Sequence, residues 1–319
     1  MEENKQSMIP KVLIGLAHQL GTEVKNGRLD IPEQFGSGYC TGFVFNEFIR
    51  LMIFDYQLRE DIVIDNPDAA IAERMILFKF QHVLTKSVHV PPDQQTPSVL
   101  IVTSRLNSSL VIPIQRSRAM INIEVDATYL KGLFHSSQKS PVLQGLLENT
   151  QPLFFEEMIF PALQTIVDQL VSETIDDTFA LFYRRVKSEE LICRLLMALE
   201  KRDENQLYAL NGQDIQTIYR IKGQMLEHLE VPPVISELAR SARMSPTKLK
   251  RLFRQIFGNS VFSYYQAFRI NEAARLLKAE GLSVSEVGYQ LGFANLSHFS
   301  RVFEKHMGVK PKKFSTAQR

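Results

Sequence analysis

Tryptophan is absent from this 319-residue chain, and cysteine occurs twice. Cys40 and Cys193 form no CxxC pair, which suits a reducing cytoplasm. Each is expected in a core. No apolar run approaches the roughly 18 residues of a membrane span. The opening MEENKQSMIPKVLIGLAHQLG has one short apolar run and no small-residue cleavage site, so a soluble, unexported, cytoplasmic protein with no membrane partner is expected. Signatures of catalysis are missing too: there is no HExxH, GxSxG, GxxxxGK or GxGxxG. His82 and His89 are separated by six residues, with no HxH and no neighbouring Glu in register, a poor start for a metal site on adjacent strands. These absences argue against an enzyme, and they leave no catalytic residue, metal or cofactor to assign.

What the chain has in plenty is ordinary globular composition, 45% apolar, in a length that suits two domains. Its net charge of +2 hides a division. From Pro232 to Arg319 there are 15 Lys and Arg against 5 Asp and Glu, a balance of +10, so residues 1–231 carry −8. An acidic module joined to a basic one that seeks a polyanion is the simplest reading.

Hydrophobic periodicity divides the chain at a similar place. Between Gly38 and Glu124 the apolar spacing is close to two, in GFVFNEFIRLMIFDYQL, RMILFKFQHVL, PSVLIVTS and AMINIEVD, with turn-forming breaks at DNPD and VPPDQQTP. These predict strands of an antiparallel sandwich or barrel, in which Phe43, Phe45, Phe48, Leu51, Ile53 and Phe54 are expected to be core rather than pocket lining. From about Gln151 the period turns helical, in FEEMIFPALQTIVDQLVS and SEELICRLLMALEKRD. Phe155, Ile159, Leu163, Leu170, Leu191, Leu195 and Leu199 are many for a helical pair closing one small barrel, so a homodimer interface is expected within residues 151–202, with Leu195 and Leu199 in it. The polar RDENQLYALNGQD supplies a linker over 202–214 between a first domain, 1–201, and a second, 215–319.

The second domain contains a repeat. SPTKLKRLFRQIFG at 245–258 returns as NLSHFSRVFEKHMG at 295–308, and SELARSARM at 236–244 returns as SEVGYQLGF at 285–293. Arg251 answers Arg301, Phe253 answers Phe303 and Gly258 answers Gly308. Each copy reads as a helix, a tight turn and a second helix, over about 234–258 and 283–308. Ala239 and Gly288 hold the place where a small side chain lets two helices cross. Ser245 with Pro246, and Asn295, are N-cap signals; Ser283 with Glu286 is a capping box. Gly292 suits a left-handed turn, whereas Arg243 stands at that place in the first copy.

In the first copy Leu249, Leu252, Phe253, Ile256 and Phe257 share one helical face, which leaves Thr247, Lys250, Arg251 and Arg254 on the other, with Lys248 flanking. In the second, Phe299, Val302, Phe303 and Met307 face inward while Ser297, His298, Arg301 and Lys305 face out. A single such face is usually just solvated. Two repeated copies in a +10 module point instead to a major groove, where Arg and Lys can donate to guanine O6 and N7. The intervening SVFSYYQAFRINEAARLLKAEG predicts a linker helix of about 30 Å, with Phe268, Ala273, Ala274, Leu276 and Leu277 buried and Gly281 ending it. Recognition helices one DNA turn apart need roughly 34 Å, so one chain could read two successive groove faces.

RINEAARLL at 269–277 and LGFANLSHFSRVFEKHMGVKPKKF at 291–314 resemble the DNA-binding domain of AraC/XylS-type bacterial transcription regulators over about residues 216–314. The resemblance implies two helix-turn-helix units on a shared linker helix, with base-facing positions at Thr247, Lys250, Arg251, Ser297, His298 and Arg301. It also implies double-stranded DNA and RNA polymerase as partners. Glu304 departs from the family pattern, where a basic residue is common, and implies a weaker phosphate grip by the second unit. Over the first 200 residues the likeness is looser; it implies an α+β chain whose N-terminal part is a cupin-like antiparallel β-barrel with a helical pair, responding to an unknown small-molecule effector. FGSGYCTGFVFNEF is similar to the barrel entry of regulators related to siderophore sensors. The expected function is a sequence-specific transcription regulator, and the alternative is a general or architectural DNA binder without an effector.

Overall fold

The computed structural model describes residues 9–65, 73–84, 97–107, 111–114, 117–134, 139–159, 161–172, 175–202, 207–279 and 282–316. His89 and Gly281 lie outside the described residues. The chain forms two compact units, Met1–Leu210 and Asn211–Arg319.

The first unit is built on a seven-stranded antiparallel sheet. In chain order its strands are β1 (Arg28–Asp30), β2 (Gly36–Val44), β3 (Ile49–Leu58), β5 (Met75–Gln81), β6 (Ser98–Val102), β8 (Ser117–Asp126) and β9 (Phe154–Met158), and they lie side by side as β1-β2-β3-β8-β5-β6-β9. A separate antiparallel pair joins β4 (Ile62–Asp65) to β7 (Val111–Ile114). Period-two patterning gives each face its own core. Leu51, Ile123, Phe78, Ile101 and Phe155 are cross-strand partners in one row on one face, all fully buried. Three helices add Leu146 from α4 (Pro141–Glu148), Leu163, Val167 and Leu170 from α5 (Pro161–Ser172), and Leu191, Leu195 and Leu199 from α6 (Asp177–Glu200) to that core. On the other face Cys40, Met52, Phe54, Tyr56 and Met120 pack with Leu13, Leu16 and Leu20, supplied by α1 (Lys11–Gln19) and the residue after it. Short helices α2 (Ser104–Asn107) and α3 (Ala127–Gly132) follow β6 and β8.

Several expectations change here. The mixed α+β class and the antiparallel sheet stand, but the barrel does not close: among the described residues the sheet runs from β1 to β9 without its two ends pairing, and β4 and β7 pair with each other instead. The start of FEEMIFPALQTIVDQLVS is strand rather than helix. Phe154, Phe155 and Glu156 are buried against β6, and the helix begins only at Pro161, where a proline's fixed φ suits the first turn. Of the six apolar strand positions, Leu51 and Ile53 are buried in the first core, Phe43, Phe45 and Phe48 pack partly buried against it, and Phe54 belongs to the second core. Leu195 and Leu199 point into the unit's own core and offer nothing to a second copy. Cys40 is buried, but Cys193 is exposed.

The described residues of 202–214 are tied into the folded units. The buried Arg202 donates to Glu157 at 2.8 Å and to the Glu156 carbonyl at 2.7 Å. Leu207 packs on the first core, and Leu210 donates to the Pro152 carbonyl. Asn211 then caps the next helix through Asp214 N.

The second unit is helical: α7 (Gly212–Glu227), α8 (Ile235–Ala242), α9 (Pro246–Phe257), α10 (Val261–Ala279), α11 (Val284–Gln290), α12 (Leu296–Met307) and α13 (Pro311–Thr316). Its second half has its own cluster, in which Ile270, Ala273, Leu277, Val287, Leu291, Phe293, Phe299 and Phe303 are buried. In its first half Phe253 and Phe257 meet at 4.5 Å between ring centroids, and Tyr264 lies against both.

Candidate nucleic-acid interface

Both repeat copies fold as helix, turn, helix. In the first, α8 ends in a left-handed residue, Arg243, at φ 53°, and the Ser245 side chain accepts from Lys248 N to start α9. In the second, the Ser283 and Glu286 capping box opens α11, Gly292 takes φ 75°, and Asn295 accepts from His298 N to start α12. The turn is the same although its residue is not, so Arg243 bears a strain of roughly 1–2 kcal/mol that glycine avoids. A side chain at 292 is excluded twice over, since a Cβ there would stand 2.6 Å from the Cα of Glu230. Gly288 is required by crossing rather than by φ: a Cβ would lie 2.6 Å from Leu296 Cδ2. Gly258 and Gly308 end α9 and α12 in the same left-handed conformation, at φ 67° and 73°.

These turns fix which side of each second helix is left for a ligand. On α9, Leu249, Leu252, Phe253, Ile256 and Phe257 are buried, while Thr247, Lys250, Arg251 and Arg254 are exposed. Lys248 is part-buried in an ion pair with Asp214 of α7 at 3.0 Å, a partner that sequence reasoning missed because 34 residues separate the two. On α12, Phe299 and Phe303 are buried, Val302 and Met307 are half-buried, and Ser297, His298, Arg301 and Lys305 are exposed. Arg301 shares an open depression with Leu296, Ser297, Ser300, Glu304 and Lys310. The His298 ring lies against Phe293, centroids 6.1 Å apart, which leans it back toward the turn. Further along, burial chiefly, then the adjacent Lys305, pushes the His306 pKa down, so this histidine adds little charge at neutral pH.

The helix between the copies, α10, has 19 residues, about 28 Å at 1.5 Å per residue. Phe268, Ala273, Ala274, Leu276 and Leu277 are all buried. Among the described residues, no three His, Cys, Asp or Glu side chains group as a metal site would need. None of the described helices is long and apolar enough to cross a membrane.

Two exposed basic helix faces on one folded unit define a double helix-turn-helix module. Comparison with known proteins agrees: residues 238–317 match the family model described as a helix-turn-helix domain. Over 80 residues the chain is 39% identical to the arabinose operon regulatory protein of Escherichia coli (strain K12), covering 25% of this chain and 27% of that one. Over 100 residues it is 32% identical to the HTH-type transcriptional regulator GlxA of Rhizobium meliloti (strain 1021), covering 31% of each. A solved transcriptional regulator with an AraC-type DNA-binding domain, from Chromobacterium violaceum, is 26% identical with a TM-score of 0.32, covering 34% of this chain and 96% of that one. The C-terminal segment is thus a helix-turn-helix domain, similar to segments of these transcription regulators. The chain spans less than a third of the length of these curated relatives.

Proposed function

We propose that this chain is a sequence-specific DNA-binding regulator of transcription whose C-terminal unit reads two successive major-groove faces. The observation that carries the reading is the duplicated geometry: α9 and α12 are each opened by a side-chain cap that accepts from the N–H three residues on, ended by a left-handed glycine and left exposed on the same cationic side. Thr247, Lys250 and Arg251, with Ser297, His298 and Arg301, are the base-facing residues. Arg254 and Lys305, a turn or less further on, hold phosphates; Lys248 contributes less because Asp214 already neutralises it. RNA polymerase is the natural second partner of such a regulator.

The first unit we assign to sensing and pairing. Its open sheet, with a separate two-stranded pair, leaves the cupin-like description and the small-molecule effector as proposals. Pairing is supported by α6, where Phe179 and Phe182 are 61% and 69% exposed and Val186 and Met197 stand on the same helix, also exposed. Such a stripe suits a second copy. Phe179→Glu with Phe182→Glu should give a folded monomer by light scattering, and an unchanged dimer would remove this surface from the account.

The regulator reading is tested by binding the full chain to selected and random DNA over a salt series. Selected DNA should win by about 10³-fold or more near physiological salt, with both affinities falling steeply as salt rises. Equal affinity for both would favour a general or architectural binder.

A further inference from the structure

The duplication in the second unit is longer than two helix-turn-helix copies. Shifted by 49 residues, the start of α7 at Gly212 falls on the start of α10 at Val261, and Tyr219-Arg220-Ile221 falls on Phe268-Arg269-Ile270. The N-caps correspond as well: Asn211 accepts from Asp214 N, and Ser260 accepts from Ser263 N. Ile221 and Ile270 are both fully buried. Each half is therefore three helices, and the arginine shared by the leading helices does the same thing in both. Arg220 donates to the Ser241 carbonyl at 3.0 Å and to the Ser241 hydroxyl at 3.0 Å, and that hydroxyl donates on to Gln224. Arg269 donates through Nε to the Leu291 carbonyl at 3.0 Å, and again through Nη2. Ser241 and Leu291 lie within one residue of equivalent places, at the end of the first helix of each helix-turn-helix.

We propose that Arg220 and Arg269 are a matched pair of positioning residues, each clasping the end of a first helix so that the recognition helix after it meets DNA at one fixed angle. Three residues separate the clasped helix from the recognition helix in the first copy and five in the second. The last carbonyls of a helix lack partners within it, and a cation there is favoured by the helix dipole. A guanidinium can hold such an end with a fixed planar fork of donors, a geometry that an ammonium's rotating point charge does not supply. A base-reading side chain must be held within about 0.5 Å of its productive place by a supporting layer, and the clasp is the part of that layer nearest the turn.

The two clasps differ in strength. Arg269 is only 5% exposed, its guanidinium sits 3.9 Å from the Phe293 ring centroid and 5.0 Å from that of Tyr265, and burial lowers its pKa from the ordinary arginine value. Tyr265 is itself tied to the Leu229 carbonyl at 2.6 Å. Arg220 is exposed. The second turn is thus held from a packed interior and the first from the surface.

The proposal rests on the DNA-reading function above, and its test separates the two. With full-length protein, competition binding would measure discrimination against single base-pair changes in each half of a selected site, alongside affinity for random DNA and thermal stability. Arg220→Met should relax discrimination about 5-fold in the half read by α9, part of what a bidentate base contact is worth, while leaving the α12 half and random DNA unchanged. Arg269→Met should do the same in the α12 half, and Arg269→Lys, with a smaller relaxation in that half, serves in its place should that variant not fold. Arg220→Lys should recover part of the loss. The clasp role is overturned if selected and random affinities fall together in step with stability, or if each variant affects both halves alike. Arg251→Ala and Arg301→Ala are the controls. If they relax discrimination and the clasp variants do not, only the clasp falls; if they leave discrimination intact, the reading function falls and takes the clasp with it.

Discussion

The two halves of the C-terminal unit share a plan and differ in charge and rigidity. The first presents Lys250, Arg251 and Arg254 along α9, with Lys248 held by Asp214; the second presents Arg301 and Lys305 along α12, interrupted by Glu304 where the first has Arg254. The first makes its turn with a strained Arg243, the second with Gly292 locked under Glu230. The leading-helix arginine is exposed in the first and buried in the second. Duplication kept what shapes the motif, namely the caps, the left-handed ends and the buried phenylalanines. It let the electrostatics diverge, so on the proposed reading the first half is the better suited to anchoring on phosphate and the second to discriminating.

The largest break in this comparison is expected at the turns. Gly292→Ala places a Cβ against the Glu230 main chain in a left-handed residue, and should cost at least about 2 kcal/mol. Arg243→Gly, at the equivalent place, should change stability by less than about 1 kcal/mol, because lost strain and added chain entropy oppose each other. Chemical denaturation of the two variants side by side measures the difference. Similar costs would mean that the two turns are not equivalent in the way described.

A smaller effect should follow from equalising the charge. Glu304→Arg restores the first half's pattern, and should tighten selected and random DNA alike by about 3- to 10-fold while steepening the salt dependence by about one phosphate. An unchanged slope would place position 304 away from the DNA backbone and remove the anchoring and discriminating division between the halves.

Much of this unit was legible in the sequence because its signals are local. Caps such as Ser245 and Asn295, and the 3.6 period of Leu249, Leu252, Phe253 and Ile256, depend on residues within a turn or two of each other. The longer repeat is faint in the sequence because only Tyr/Phe-Arg-Ile ties α7 to α10, and the reason for the arginine lies about 20 residues away, at Ser241 and Leu291. In the first unit, strand alternation was readable, but closure of the sheet depends on whether β1 and β9 meet, a long-range matter that alternation does not encode. Phe154–Met158 was misread as helix because an aromatic pair followed by two glutamates fits either period over so short a run; burial of Glu156 against β6 decides for strand. Leu195 and Leu199 suggest an interface from sequence because apolar count alone does not say which core a helix serves.

The central claim, that one chain reads two groove faces, is tested most directly by selecting DNA sites with the full-length protein and with its Arg251→Ala and Arg301→Ala variants. Each variant should lose about 1–3 kcal/mol on the selected site and relax one position, and the two relaxed positions should lie about 10 base pairs apart. If both variants weaken selected and random DNA equally, neither arginine reads a base and the claim fails. If only one position relaxes, the chain has a single reader, and the other half is a backbone clamp.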